Sequence, residues 1–155
     1  MKSAHNAAIK IREAKACDYN ACLYLLTSLY HGDIGADFQC IFESFVKSED
    51  SVVLLAEDSR KAVGVLIGSY NFDIDWEGKV GRIQALIVDE AFRRTGVGRK
   101  LLERFTAEAK KHHCSAIRSR VNIENRAARS FHESLGFWKA NTYEYILELQ
   151  EQGKH

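Results

Sequence analysis

The chain contains no proline, so every break between elements must come from glycine, asparagine, aspartate or serine. No apolar run approaches the roughly 18 residues of a membrane-spanning helix, and Met1-Lys2-Ser3-Ala4-His5-Asn6-Ala7-Ala8 lacks the apolar core of a signal peptide. The expectation is a cytoplasmic protein with no membrane partner. Neither sign of charge dominates: 22 Lys and Arg stand against 21 Asp and Glu, which leaves no overall field to attract nucleic acid. Cys17, Cys22, Cys40 and Cys114 form no C-x-x-C pair, and a chain of this size needs no disulfide framework, so they read as structural thiols. His112, His113 and Cys114 are consecutive, but neighbouring side chains on a helix end point about 100° apart. With no second ligand cluster in the sequence, no metal site is expected.

What is present is the make-up of an ordinary globular domain, 46% hydrophobic and 28% charged over 155 residues, long enough to bury about 70% of its unfolded surface. One domain over 1–155 is expected, with its core between about 9 and 149. Ile9 and Ile11 alternate with Lys10 and Arg12 and suggest a first strand. Asp18 is placed to cap a helix that carries Cys22, Leu23, Leu25, Leu26, Leu29 and Tyr30 on a broad apolar face. His31 to Asp37 reads as a loop, and Phe38, Ile41, Phe42, Phe45 and Val46 then recur at helical spacing. Ser51 to Ala56 and Ala62 to Tyr70 read as a hairpin about the polar turn Glu57 to Lys61. Asn71 to Gly81 is an acidic, aromatic loop or strand edge. Further on come a strand at Ile83–Val88, a helix after Arg99, a strand at Ala116–Asn122 and a helix at Ala127–Leu135 stopped by Gly136. Strands at Phe137–Trp138 and Tyr143–Leu149 close the chain. The order β-α-α-β-β-β-α-β-α-β-β describes a mixed α/β sheet domain.

Arg93-Arg94-Thr95-Gly96-Val97-Gly98 sits where a strand turns into a helix. Glycine frees the backbone to turn several N–H groups to one side, and the helix start adds partial positive charge. That is an anion cradle, suited to phosphate or pyrophosphate. No Gly-Lys-Ser/Thr follows, so Walker-type nucleotide binding is not supported.

The strand, the Arg-x-x-Gly-x-Gly loop and the helix together resemble the signature of the GCN5-related N-acetyltransferase (GNAT) superfamily. Leu86-Ile87-Val88-Asp89-Glu90 looks like the end of that family's fourth strand, and Asn125 with Ala128 like the start of its fourth helix. Phe131-His132-Glu133-Ser134-Leu135-Gly136-Phe137 is close to its closing motif. The resemblance is close over about 80–138, and the element order extends it over the chain. It implies an α/β (α+β) fold with a mixed, mostly antiparallel central sheet and about four flanking helices. It also implies acetyl-CoA as cosubstrate. Leu86, Ile87, Val88, Arg93, Arg94, Thr95, Gly96, Val97, Gly98 and Arg99 match positions along the strand and loop that bind it. Asn125, Ala128 and Phe131 match contacts from the facing side. Transfer is then direct, with a strand N–H near Leu86 or Val88 stabilising the oxyanion.

Two positions depart from the family. Where many relatives carry a strand Glu as base, this chain has Arg82 and Gln84, neither of which accepts a proton near neutral pH. The usual closing-motif Tyr, which protonates the leaving thiolate, is His132, whose imidazole can act as acid or base near neutrality. Glu77 or Asp75 are candidates for a base acting through water. Tyr30, His31, Asp33, Asp37, Asp73, Asp75, Trp76 and Glu77 fall in the regions that build the family's acceptor side and would suit a cationic amine. A solvated polar loop is the other reading of them.

The function expected is N-acetylation of a small cationic or polar primary amine. A protein N-terminus or lysine is the alternative acceptor, and a sensor that holds acetyl-CoA without turnover the alternative role. Arg93, Arg94, Arg99, Arg104, Arg118, Arg120, Arg126 and Arg129 could suggest nucleic acid, but the near-zero net charge opposes it. The edge character of Tyr143–Leu149 suggests a homodimer.

Overall fold

The computed structural model describes residues 8–30, 34–35 and 37–149. The chain divides into two compact units, 1–120 and 121–155. The first holds a five-stranded sheet with strands side by side in chain order: β1 (Lys10–Glu13), β2 (Ser51–Asp58), β3 (Lys61–Asp73), β4 (Gly78–Val88) and β5 (Ala116–Ser119). All neighbours are antiparallel except β4 and β5. Three helices belong to this unit: α1 (Tyr19–Tyr30), α2 (Phe38–Lys47) and α3 (Val97–Lys111).

Because helices cover both faces, β2 and β3 carry nearly unbroken buried runs, Val52–Ala56 and Val63–Tyr70. Cys22, Leu25, Leu26 and Phe42 of α1 and α2 pack on Val53, Leu55, Val65, Ile67, Ala85 and Ile87. On the other face α3 lies close to the sheet because glycine makes room for it. A Cβ at Gly68 would stand 2.3 Å from Phe105 Cε2, and one at Gly64 would stand 3.0 Å from Val97 Cγ1. The β2–β3 hairpin turns on Ser59 (φ +48°) and Arg60 (φ +71°), the double left-handed geometry that matches strand twist.

Several expectations are corrected. Asp18 does not cap α1. It ends a short 3-10 turn at Ala16–Asp18, where it accepts the Lys15 N–H at 2.8 Å and is held by Arg12. For 71–81 the strand alternative is the one found: β3 runs on to Asp73 and β4 starts at Gly78, leaving only 74–77 as the turn. Of the four thiols only Cys22 is buried, and that burial pushes its pKa up to about 12.

The second unit contains α4 (Arg126–Ser134). Asn125 Oδ1 caps it by accepting the Ala128 N–H at 3.0 Å. Gly136, at φ +87°, ends it, with N–H bonds from Gly136 to Glu133 O and from Phe137 to His132 O, each 3.1 Å. The strands predicted at 137–138 and 143–149 are not formed; residues 137–149 lie in no ladder. Alternation of apolar and polar residues assigns two faces, but a strand exists only where another strand pairs with it.

Candidate active site

β4 is paired along its whole length to β3 but only at Val80–Ile83 to β5. Beyond Ile83 its second edge is open within this unit. At the same point the β3 ladder slips: Ala85 faces Ile67 and Ile83 faces Gly68, so Gln84 is the extra residue of a bulge. Such bulges end pairing and re-aim backbone groups. The Asp89 N–H donates to Val63 O at 2.8 Å, toward β3. Backbone groups alternate sides along an antiparallel strand, so those of Ile87 also face β3, while those of Leu86 and Val88 face the open edge. The Val88 carbonyl accepts from Arg93 Nε at 3.2 Å. Within this unit the Val88 N–H and both backbone groups of Leu86 face no paired strand.

After β4 a short 3-10 turn, Glu90–Phe92, is capped by Asp89, which accepts the Ala91 N–H at 3.0 Å. The Thr95 hydroxyl donates to the Phe92 carbonyl. Arg94 and Gly96 are both left-handed, at φ +63° and +92°. Buried Val97 anchors the start of α3 while Arg93, Arg94, Thr95, Gly96 and Arg99 stay exposed. The first intrahelical bond comes only from Lys100, to Gly96 O at 3.0 Å. The N–H groups of Val97, Gly98 and Arg99 therefore have no acceptor within the helix. A Cβ on Gly96 would meet nothing within 4 Å, so the space over these donors is open. An open strand edge leading to this cradle fits a long ligand that ends in a pyrophosphate.

Of the predicted residues in the second unit, Asn125 uses its carbonyl oxygen as the α4 cap. Ala128 receives His132, whose Nδ1 lies 2.8 Å from the Ala128 oxygen. With the proton on Nδ1, Nε2 is the basic nitrogen, and it is buried with no hydrogen-bond partner among the described residues. Phe131 and Phe137 meet the imidazole edge-on, at 5.5 and 5.1 Å between ring centres.

The structure does not gather the predicted acidic residues. Asp75, Trp76 and Glu77 form the exposed tip of the β3–β4 hairpin. At about 3.3 Å per residue, Glu77 lies about 23 Å along β4 from Gln84. Asp73 is withdrawn from solvent, its side chain 6% exposed, and bound by Arg82 at 3.1 Å and Arg118 at 2.6 Å. Burial would raise its pKa, but the hydrogen bond and charge of Arg118, with Arg82, outweigh that and hold the carboxyl below its ordinary range. Two guanidiniums thus satisfy Asp73, which leaves this carboxylate little attraction for a cation. Asp37 is exposed just before α2. His31, Asp33 and the side chain of Tyr30 lie outside the described residues.

Sequence reading missed a hydrogen-bonded chain beside the bulge. Gln84 Nε2 donates to Ser69 Oγ at 3.1 Å, and Ser69 Oγ donates to Asn71 Oδ1 at 2.9 Å. Ser69 and Asn71 have the period-two spacing of one strand face, but only the register with β4 brings Gln84 to them.

The half-paired strand, the bulge and the glycine turn lie in sequence along β4 and into α3. The model of the acetyltransferase (GNAT) family matches residues 17–137, and the chain belongs to that family. Over 97 residues it is 29% identical to an uncharacterized N-acetyltransferase of Methanocaldococcus jannaschii, a match covering 62% of this chain and 43% of that protein. Over 96 residues it is 28% identical to aminoglycoside N(6')-acetyltransferase type 1 of Acinetobacter haemolyticus, covering 60% of this chain and 66% of the relative. These matches thus span 43% and 66% of the two relatives' own lengths. Among solved structures, an aminoglycoside N-acetyltransferase in complex with CoA superposes with a TM-score of 0.85 at 16% identity, covering 96% of this chain and 99% of that one.

Proposed function

We propose that this chain transfers the acetyl group of acetyl-CoA directly to a primary amine of a small polar or cationic molecule. The observation that carries the reading is the open edge of β4 from Gln84 to Val88, running into the left-handed Gly96 and the start of α3. Family membership and the aminoglycoside-modifying relative support it. The match from 17 to 137 runs through both units and supports one transferase domain over the chain. No helix among the described residues is long and apolar enough to cross a membrane.

Acetyl-CoA, when bound, supplies an acyl group already activated as a thioester. Arg93, Arg94, Thr95, Gly96, Val97, Gly98 and Arg99 hold its pyrophosphate through backbone N–H groups and positive charge. Ile87 fixes the strand on its β3 side, while Leu86 and Val88 offer the free backbone groups that align the pantetheine arm. One N–H of that pair polarises the reacting carbonyl. Asn125, Ala128 and Phe131 are assigned as further contacts through their match to the family motif. Gln84 cannot deprotonate an amine, but with Nε2 tied to Ser69 its Oε1 is left to orient an acceptor N–H. His132 is assigned to proton transfer through its match to the closing motif: with its Nδ1–H on Ala128 O, Nε2 would take the proton the attacking amine gives up and pass it to the leaving thiolate.

A second reading, a sensor that binds acetyl-CoA without turnover, is favoured by one observation: Asp73 is already satisfied by two arginines, so it offers no free carboxylate as base. The test is thiol release from acetyl-CoA against a panel of amines that includes aminoglycosides, lysine and peptide N-termini. Release dependent on a small amine supports the transferase. Binding without release from any amine supports the sensor, and release only with peptides moves the acceptor to protein.

A further inference from the structure

One face of the sheet carries an unbalanced charge beside the β4 bulge. Ser69 of β3, Arg82 of β4 and Arg118 of β5 stand side by side in register, and residues directly opposite in neighbouring strands share a face. Two more side chains reach this row. Gln84 donates to Ser69, and Asp73 accepts from both arginines. The row lies where β5 stops, since the last β4–β5 pair is Ile83 with Ser119.

Asp73 holds the two guanidiniums together. Its side chain is 6% exposed, and both of its oxygens are used. Oδ1 accepts the Asp75 N–H at 3.1 Å, while Oδ2 accepts from Arg82 Nη2 at 3.1 Å and Arg118 Nη1 at 2.6 Å. A carboxylate so withdrawn from water is costly unless it is paired, which ties both arginines to this one oxygen. Each gives Asp73 a single N–H and turns the rest of its fork elsewhere. Their side chains are 42% and 38% exposed, so solvent reaches both.

The charges indicate what else would meet them. No other acid among the described residues forms an ion pair with either arginine. Two positive charges therefore share one negative charge, and one positive charge is left over on a solvent-reached surface. An exposed ion pair ordinarily lets its arginine swing, but a nearly buried anchor fixes the direction of both forks. Fixed guanidinium forks suit a planar carboxylate, and a single carboxylate would balance the single surplus charge. Arg82 stands two residues from Gln84, about 7 Å along β4 at 3.3 Å per residue.

We propose that the acceptor amine carries a carboxylate of its own, held by Arg82 and Arg118 while the amine lies at Gln84. This deepens the acetyl-transfer reading and rests on it for the place of the amine. The substrate class is then an amino acid or a similar zwitterionic amine, and a polycation is disfavoured by the surplus positive charge.

The test is calorimetric titration into the full chain saturated with CoA, which cannot react. The probes are 4-aminobutanoate and 6-aminohexanoate, against butylamine and pentylamine, which lack the carboxylate, and hexylamine, in which a methyl replaces the carboxylate of 6-aminohexanoate. At least one amino acid should bind about tenfold or more tighter than its alkylamine. That preference should disappear in Arg82→Gln and in Arg118→Gln, with CoA affinity unchanged. Each variant leaves Asp73 one guanidinium, so both are expected to fold, and retained CoA binding reports that they have. No binding of either amino acid at millimolar concentration, affinities equal to those of the alkylamines, or a preference that survives in both variants overturns the proposal. Failure of the wild type to bind CoA is a separate result that sinks the acetyl-transfer reading. The same probes titrated without CoA then still decide whether the arginines prefer a carboxylate.

Discussion

At Gly96 the backbone sits at φ +92°, a conformation costing an ordinary residue about 1 kcal/mol or more, beside donors that have no partner in the helix. Gly96→Asp adds both strain and negative charge there. It should abolish acetyl-CoA binding by calorimetry while leaving the circular dichroism spectrum unchanged. Gly68 answers to packing instead of binding. With Phe105 2.3 Å from where its Cβ would lie, Gly68→Ala should destabilise the fold by about 1–3 kcal/mol in urea melts. His132→Phe keeps an aromatic ring between Phe131 and Phe137 but removes Nε2. Turnover should fall with acetyl-CoA affinity preserved, and rates that stay unchanged between about pH 6 and 9, a range spanning the imidazole pKa, would return His132 to packing alone. The glycines and His132 could be singled out from the sequence because backbone freedom and proton affinity belong to the residue type. Ser69 could not, because a hydrogen-bonded chain comes from register.

At the level of elements, the hairpins and the first turn carry testable energetics. Arg60, at φ +71° in the two-residue β2–β3 turn, occupies a position glycine fills without strain, and Arg60→Gly should stabilise the protein by up to about 1 kcal/mol. Arg12 ties β1 to the 3-10 turn and to β2 through Asp18 at 2.8 Å and Glu57 at 2.7 Å. The hydrogen bond from Arg12 outweighs burial and lowers the Asp18 pKa beneath the unfolded value of about 3.9. The stability that Asp18 contributes is therefore present above about pH 4 and lost as pH falls through its folded pKa. Asp18→Asn should cost about 1 kcal/mol at pH 7, the upper end for a partly exposed pair, and make acid unfolding shallower. The helices, β2 and the strand–loop–helix at the cradle were legible from periodicity and glycine spacing. The length of β3 was not, since Asn71-Phe72-Asp73 has weak strand propensity and is held by its ladder with Lys79 and Gly78. Nor could the lack of a strand ladder over 137–149 be foreseen, because alternation of side chains does not say which strand would pair with it.

For the whole molecule, the sheet's geometry and its proposed chemistry coincide: the strand whose pairing with β5 ends at Ile83 leads into the glycine turn. Family and fold were readable from two motifs at their proper separation. The open edge itself needed the structure, because it depends on where β5 stops. The account stands on that edge and cradle holding acetyl-CoA, and the most direct measurement is a calorimetric titration of the intact chain with it. One acetyl-CoA per chain, bound by the wild type and lost in Gly96→Asp, is the result the account expects. No binding by the wild type, or equal binding by the glycine variant, would contradict it.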